Sequence, residues 1–313
     1  VEDKFSEAIE CGIYSKQEQE DIDYFNETYK IMKHPSPRKY QLSRRYDFWS
    51  DVTQQNQFEI SLNRLKEGFL KKNIASTLQR FHSLDRRLKL PENSDLKEAY
   101  VTKVSDLLEK KYCHSLGDIS DHIKDLKEDE SMYIMPKQLV KCPKQASSRY
   151  RLCLDGSQLH TLTSRGPNLI NELYNLLIRF RAKPVALTGD IQEAFFQIRG
   201  RQSDQKLLNF LYRDPDKESS EDIQLIRFNV LTMGIPSASF ELASCLRKIA
   251  KLEKDENPEI ADAILRSVYA DDLISSHYSD EEAIVFTKNI VTVLAKYGFL
   301  LHKFSSESEK VMN

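Results

Sequence analysis

Two adjacent aspartates inside an apolar stretch constrain the fold of this chain more than any other feature. Asp271 and Asp272 lie between two apolar runs, residues 264–269 and residues 273–276. An unpaired charge that is buried between strands costs several kcal/mol, so another group must neutralise it. A divalent cation is one such group, and a solvated turn that carries two acids is the alternative. The two runs predict a β-hairpin with both carboxylates at its turn.

A third acid follows a second strand-like run. Residues 185–191 have the pattern of a buried strand, and Asp190 lies near its end. Three carboxylates delivered from two strand systems suit a two-metal site, in which Mg²⁺ ions about 3.5–4 Å apart hold the attacking and leaving oxygens. Magnesium prefers hard oxygen ligands, which agrees with the absence of a His or Cys ligand cluster from the sequence. Glu193 is near enough in sequence to be a fourth ligand, but we expect it to point away into solvent.

The composition excludes several other classes of protein. Of 313 residues, 40% are hydrophobic and 30% are charged, and the net charge is −2, which is typical of a soluble globular chain without a membrane-spanning segment. A nucleic-acid surface on such a chain must be a local patch. Neither GxGxxG nor GxxxxGK[ST] occurs, which excludes the standard dinucleotide and P-loop sites. Five scattered cysteines without a CxxC pair support neither a disulfide framework nor a zinc site, and they favour a reducing intracellular compartment.

The chain divides by pattern into two regions. Residues 1–130 are charge-rich, and the helical spacing of their apolar residues predicts a helical extension with helices over 58–90 and 96–112. Residues 131–313 mix strand-like runs with helical patterns, which predicts an α+β fold. In this second region we predict strands over 185–191 and 223–231 and helices over 169–181, 236–252 and 279–297.

A basic run opens the second region. Between residues 137 and 151 the sequence has five basic side chains and no acidic one: Lys137, Lys141, Lys144, Arg149 and Arg151. In a chain whose total charge is close to zero, this local excess favours a phosphate-bearing partner. A solvated surface loop is the alternative.

Several segments, in order along the chain, resemble the motifs of reverse transcriptases. Residues 188–198 (TGDIQEAFFQI) resemble the first catalytic motif of that family, and residues 269–272 (YADD) resemble its Tyr-x-Asp-Asp hairpin. Residues 150–155 are similar to a finger strand that carries a triphosphate-binding arginine, residues 228–237 to the substrate-positioning turn, and residues 297–304 to the glycine–lysine motif. The residues that make up these motifs are most similar to those of the BEL/Pao class of LTR retrotransposons. The resemblance is strong from about residue 135 onward and weaker over residues 24–129.

The resemblance implies a fold, an activity and a set of partners. The fold would be the fingers and palm of a right-hand polymerase with a helical N-terminal extension and no thumb. The activity would be that of an RNA-directed DNA polymerase, part of a retrotransposon Pol polyprotein, that transfers nucleotides onto a primer 3′-hydroxyl with two Mg²⁺ or Mn²⁺ ions. The partners would be an RNA or DNA template with its primer, deoxynucleoside triphosphates and other parts of the polyprotein, with no membrane, in cytoplasmic virus-like particles or in the nucleus. Because the chain starts with Val1 and stops soon after Lys303, we expect it to be a piece of a longer protein.

The resemblance also assigns roles to individual residues. Asp190 and Asp271 would ligate both metal ions. Asp272 would lie beside them, and the backbone carbonyl of Ile191 would supply another oxygen. Lys303 would protonate the departing pyrophosphate.

A second set of residues would bind the nucleotide and the primer. Lys144 and Arg151 would grip the triphosphate, and the ring of Phe195 would exclude a ribose 2′-hydroxyl. Further expected contacts are Met233 and Gly234 with the nucleotide and Tyr269 with the primer end. The remaining candidates for chemistry are expected to be core fillers: His302, Cys153 and Cys245.

One alternative function stays open. The chain could be an inactive or domesticated retroelement remnant that binds nucleic acid or a protein. Three intact aspartates favour the polymerase, because drift would readily remove an acid that costs stability when it is unpaired. The lack of a thumb favours the remnant.

Overall fold

The computed structural model describes residues 57–62, 65, 70–129, 132–142, 149–217 and 223–312. Lys144 and residues 1–56 of the predicted extension lie outside these residues. Helices and strands both occur, which confirms the predicted α+β class. No helix in the described part of the chain is both long enough and apolar enough to cross a lipid bilayer.

The described strands and helices are numbered here in chain order. The strands are β1 (Glu59–Ile60), β2 (Cys113–Asp118), β3 (Lys137–Lys141), β4 (Tyr150–Leu154), β5 (Val185–Ile191), β6 (Arg199–Gly200), β7 (Asn209–Tyr212), β8 (Gln224–Phe228), β9 (Val268–Tyr269), β10 (Asp272–His277) and β11 (Leu301–Ser305). The helices are α1 (Ile74–Leu88), α2 (Ser94–Glu109), α3 (Ile123–Glu128), α4 (Leu173–Phe180), α5 (Gln202–Gln205), α6 (Ala238–Glu253), α7 (Pro258–Ser267), α8 (Asp280–Lys296) and α9 (Glu309–Met312).

A four-stranded antiparallel sheet positions the acidic residues. Its strand order is β11-β5-β10-β9. Leu187, Ile191 and Leu273 are at most 1% exposed, and helix α8 contacts both central strands, β5 and β10. Because successive side chains of a strand point to opposite faces, Asp190 and Asp272 lie on the face opposite these buried residues.

The remaining strands form smaller units. Strands β2, β8 and β7 form an antiparallel sheet in that order, β3 and β4 form a hairpin, and β1 pairs in parallel with β6. Helix α1 contacts β3, and helix α2 contacts β2 and β4. A buried cluster joins α1 to the three-stranded sheet: Phe81, Ile119, Leu126, Met132, Ile134, Leu211, Ile223 and Leu225. The helices therefore pack on strands that lie on both sides of residue 130, and the division of the chain there stays a prediction.

Most predicted elements agree with the structure, and two do not. The strand over residues 185–191 is confirmed in full, and the predicted helices correspond to α2, α4, α6 and α8 with ends that differ by a few residues. Within the described residues the helix predicted over residues 58–90 is found as α1, and Phe58, Ile60 and Leu62 are instead buried at the spacing of a strand. The strand predicted over residues 264–269 is wrong for its first four residues, which belong to helix α7. Only Val268 and Tyr269 form a strand, β9.

Lys137 lies inside the protein, although we predicted it within a basic surface run. Its Nζ atom donates hydrogen bonds to the Tyr100 hydroxyl and the Leu211 carbonyl, and it lies 4.5 Å from the centroid of the Tyr100 ring and 5.1 Å from that of Phe210. The alternation of β3 explains the burial, because Lys137 and Leu139 both face inward. Burial holds the pKa of Lys137 well below its usual range.

This buried lysine predicts a pH dependence of stability. Its lowered pKa means that the folded protein binds the proton more weakly than the unfolded chain does, so stability rises with pH between the folded-state pKa and about 10.4. Relative to Lys137→Met, the wild type should therefore gain up to about 1.4 kcal/mol of unfolding free energy per pH unit in that window. Urea denaturation from pH 7 to 10 measures this difference. Lys141→Met, which changes an exposed lysine of the same strand, should show no such trend, and parallel curves for wild type and Lys137→Met would contradict the prediction.

Candidate functional site

Three aspartates meet at one end of the four-stranded sheet. Asp190 of β5 and Asp272 of β10 are directly opposite each other in the antiparallel register. Residues in that relation have Cα atoms about 4.5–5.5 Å apart and side chains on the same face. Asp271 lies in the turn between β9 and β10, and its backbone carbonyl accepts a hydrogen bond of 2.8 Å from the Ile191 amide. The strand end and the predicted hairpin thus come together.

The hairpin turn is tight and strained. Tyr269 pairs with Asp272, so the turn has only two residues, Ala270 and Asp271. Ala270 has a φ of 55°, in the left-handed region that costs a residue with a Cβ about 1–2 kcal/mol. This turn holds Asp271 and Asp272 at the tip of the hairpin.

Burial and neighbouring negative charge raise the proton affinity of Asp271 and Asp272. Burial raises the pKa of Asp271 above its usual value, the charge of Asp190 adds to the effect, and Lys303 opposes it. Loss of solvation likewise raises the pKa of Asp272, with further contributions from the charges of Asp271 and Asp190. The cluster is therefore a region of unfavourable negative charge to which a cation would be attracted.

Strand β11 brings two nitrogen donors to Asp190. Its Oδ2 atom lies 2.6 Å from Nε2 of His302 and 3.0 Å from Nζ of Lys303. His302 is directly opposite Asp190 in the register, and Lys303 follows it with a φ of 50°. Lys303 therefore reaches the cluster for which it was predicted.

The prediction that His302 is a core filler is wrong. Its side chain is 32% exposed, and it is bonded to a predicted metal ligand that lies 112 positions earlier in the sequence. Only the pairing of β11 with β5 brings the two together, and no local sequence pattern encodes that register. Cys245, by contrast, is fully buried as predicted, and Cys153 is half-buried on β4.

The donor set can be tested against the predicted metal. The aspartates offer only carboxylate oxygens, which suit Mg²⁺ and Mn²⁺ rather than a soft metal. Among the described residues, no group of three or more His, Cys, Asp or Glu side chains is already positioned to hold one ion. A cation would compete with Lys303 and His302 for Oδ2 of Asp190. The residues fit the chemistry of a hard divalent cation.

The predicted nucleotide turn packs against the end of the hairpin β3–β4. Met233 is 58% exposed, and Gly234 has a φ of 95°. A Cβ atom on Gly234 would collide with the Leu154 carbonyl oxygen, and one on Gly156 would collide with the carbonyl oxygen of Gly234. This mutual approach of two chain segments by itself requires glycine at both positions.

The other predicted contact residues lie in three different elements. Phe195 is half-buried in the short 3₁₀ turn that follows β5, and Tyr269 is half-buried in β9. Arg151 is exposed on β4, and no hydrogen bond or ion pair of the described residues joins it to the aspartates. We expected Glu193 to point into solvent, and this prediction is wrong. Its carboxylate accepts hydrogen bonds from Lys110 and Tyr112.

The sequence matches no protein-family model and no curated protein. The geometry of the described residues and the sequence motifs are thus the basis for a functional proposal.

Repulsion within the cluster predicts a stabilising substitution. At pH 7 without divalent cations, Asp271→Asn should raise the free energy of unfolding by a few tenths to about 1 kcal/mol, because it removes a partly buried charge beside Asp190. The folded-state pKa of Asp271 is raised, so its cost is present above that pKa and absent below the unfolded value of about 3.9. The gain should therefore vanish as the pH falls to 3.

Denaturation at pH 7 and pH 3 measures this gain. Asp262→Asn, which removes an exposed carboxylate on helix α7, is the control and should show no stabilisation. A gain for Asp271→Asn that is equal at both pH values would exclude charge repulsion as its cause.

Proposed function

We propose that this chain is the fingers and palm of an RNA-directed DNA polymerase, a reverse transcriptase segment of a BEL/Pao-type retrotransposon Pol polyprotein. It would extend a primer on an RNA or DNA template with deoxynucleoside triphosphates. The observation that carries the proposal is the position of Asp190 opposite Asp272, with Asp271 in the adjoining turn. Carboxylates from two neighbouring strands are what two-metal nucleotidyl transfer requires.

The metal ligands would be the three aspartates and a backbone oxygen. Asp190 and Asp271 would hold two Mg²⁺ ions, for which Mn²⁺ can substitute, with Asp272 and the Ile191 carbonyl completing the protein ligands. The bound cations would supply an activated primer hydroxyl and neutralise charge on the leaving pyrophosphate. The hydrogen bond between the Ile191 amide and the Asp271 carbonyl keeps the strand end and the hairpin together.

Lys303 and His302 would support this chemistry in two different ways. The ammonium group of Lys303 lies 3.0 Å from Asp190, so it is near enough to hold a proton for the departing pyrophosphate. His302 would orient the Asp190 carboxylate, as an outer-shell donor does for a metal ligand.

Nucleotide recognition would come from both sides of the sheet end. The ring of Phe195 would lie below the sugar and leave no room for a 2′-hydroxyl. Arg151 and Lys144 would bind the triphosphate, Met233 and Gly234 would contact the nucleotide, and Tyr269 would contact the primer end. The packing of Gly234 against Gly156 and Leu154 supports this arrangement, because it fixes the nucleotide turn to the strand that carries Arg151.

Primer extension tests the proposal. With an RNA template, a DNA primer, deoxynucleoside triphosphates and Mg²⁺, the 313-residue chain should add nucleotides, and Asp271→Asn should lower the rate at least about 100-fold. Asp262→Asn should keep the wild-type rate. Mg²⁺ should also raise the melting temperature of the wild type more than that of Asp190→Asn, because the ion binds only the folded cluster.

The result that would overturn the proposal is equally clear. No extension by the wild type, or equal extension by wild type and Asp271→Asn, would exclude a polymerase at this site. Binding of RNA without extension would then favour the inactive remnant.

A further inference from the structure

Tyr112, just beyond helix α2, contacts the turn that carries Phe195 at three points. Its hydroxyl donates a hydrogen bond of 2.8 Å to Oε2 of Glu193 and accepts one of 3.2 Å from Nε2 of Gln197. Its ring packs against Phe196 with a centroid separation of 5.0 Å. The residues that it holds lie on both sides of Phe195 in the sequence.

The contact with Glu193 is reinforced. Nζ of Lys110 donates to the other carboxylate oxygen of Glu193 at 2.6 Å. Glu193 has a φ of 51°, a left-handed conformation that a side chain disfavours and that needs external contacts to persist. Burial raises the pKa of Tyr112, as does its bond to Glu193, so the phenol keeps the proton that it donates.

Backbone hydrogen bonds join the two ends of the turn to other segments, whereas within the turn the Phe196 amide donates to the Glu193 carbonyl of the turn itself at 2.8 Å. The Gln192 amide donates to the Leu300 carbonyl at 2.8 Å, and the Ile198 carbonyl accepts from Leu231 at 2.7 Å. Side chains of other segments add to these bonds, and one of them is Gln57, which donates to the Gln197 carbonyl. Tyr112 contacts three of the five residues from 193 to 197, on both sides of Phe195, so losing its contacts should shift the turn that carries the Phe195 ring.

We propose that Tyr112 is a positioning residue that sets the sugar selectivity of the nucleotide site. By holding Glu193, Phe196 and Gln197, it fixes the Phe195 ring at the distance that admits a C2′ hydrogen and excludes a hydroxyl. This inference rests on the proposed function. Exclusion by contact depends steeply on distance, so a small displacement of the turn opens the space that a 2′-hydroxyl needs.

The test separates the hydroxyl of Tyr112 from its ring. In Tyr112→Phe the ring contact with Phe196 remains and both hydrogen bonds are lost. The ratio of kcat/KM for a deoxynucleotide to that for the matching ribonucleotide should fall about tenfold, the effect of a hydrogen bond of ordinary strength. Phe195→Val should lower the ratio further, and Tyr112→Phe should add nothing in the double variant, because Tyr112 acts only through Phe195.

A matched control breaks a similar ion pair elsewhere on helix α2. Lys97 and Asp216 are 2.6 Å apart, the same separation as Lys110 and Glu193. Asp216→Asn should leave the sugar selectivity unchanged, whereas Glu193→Gln should lower it. Gln197→Ala, which removes a single bond to Tyr112, gives the same comparison if Tyr112→Phe does not fold.

Hydrogen exchange supplies a readout that does not depend on activity. Amides of residues 193–198 should exchange faster in Tyr112→Phe than in the wild type, while those of β5 stay unchanged. A wild type that incorporates no nucleotide would overturn the proposed function and this inference with it. An active wild type whose selectivity or turn protection is unchanged in Tyr112→Phe would overturn the role of Tyr112 alone.

Discussion

The antiparallel pairing of β5 with β10 is the interaction on which the rest of this structure depends. It sets two carboxylates side by side, and β11 on the other edge of β5 supplies the nitrogen donors that compensate Asp190. The register is fixed by the opposite face, where Leu187 and Leu273 are buried. A slip of one residue would turn Asp190 into the core and the leucines outward, at a cost of several kcal/mol.

The part of the fold that local patterns encode could be predicted from the sequence. The pattern of a buried strand predicted the full extent of β5, and apolar runs around two acids predicted the hairpin of Asp271 and Asp272. The same reasoning failed at residues 264–267, because Ile264 in a short apolar run fits a buried helix face as well as a strand. It also failed for Lys137, since a basic residue in a basic run carries no sign of an aromatic cage built by residues far away in the chain.

The sequence predicted which acidic residues form the candidate site. It did not predict the residues that contact and support them. Asp190, Asp271, Asp272 and Lys303 belong to motifs whose spacing is visible in one sequence. His302 and Tyr112 contact partners 112 and 81 positions away, and only the tertiary structure supplies those contacts. The segment just beyond helix α2, which the sequence indicated only as part of a helical extension, thus contacts the turn beside the acids.

The most direct test of the central claim is anomalous diffraction from crystals grown with Mn²⁺. If the aspartates share a pair of cations, two anomalous peaks should appear about 3.5–4 Å apart, each about 2.0–2.2 Å from carboxylate oxygens of Asp190 or Asp271, and Asp190→Asn should weaken both. Finding no peak, or a single ion that contacts only one aspartate, would contradict the account.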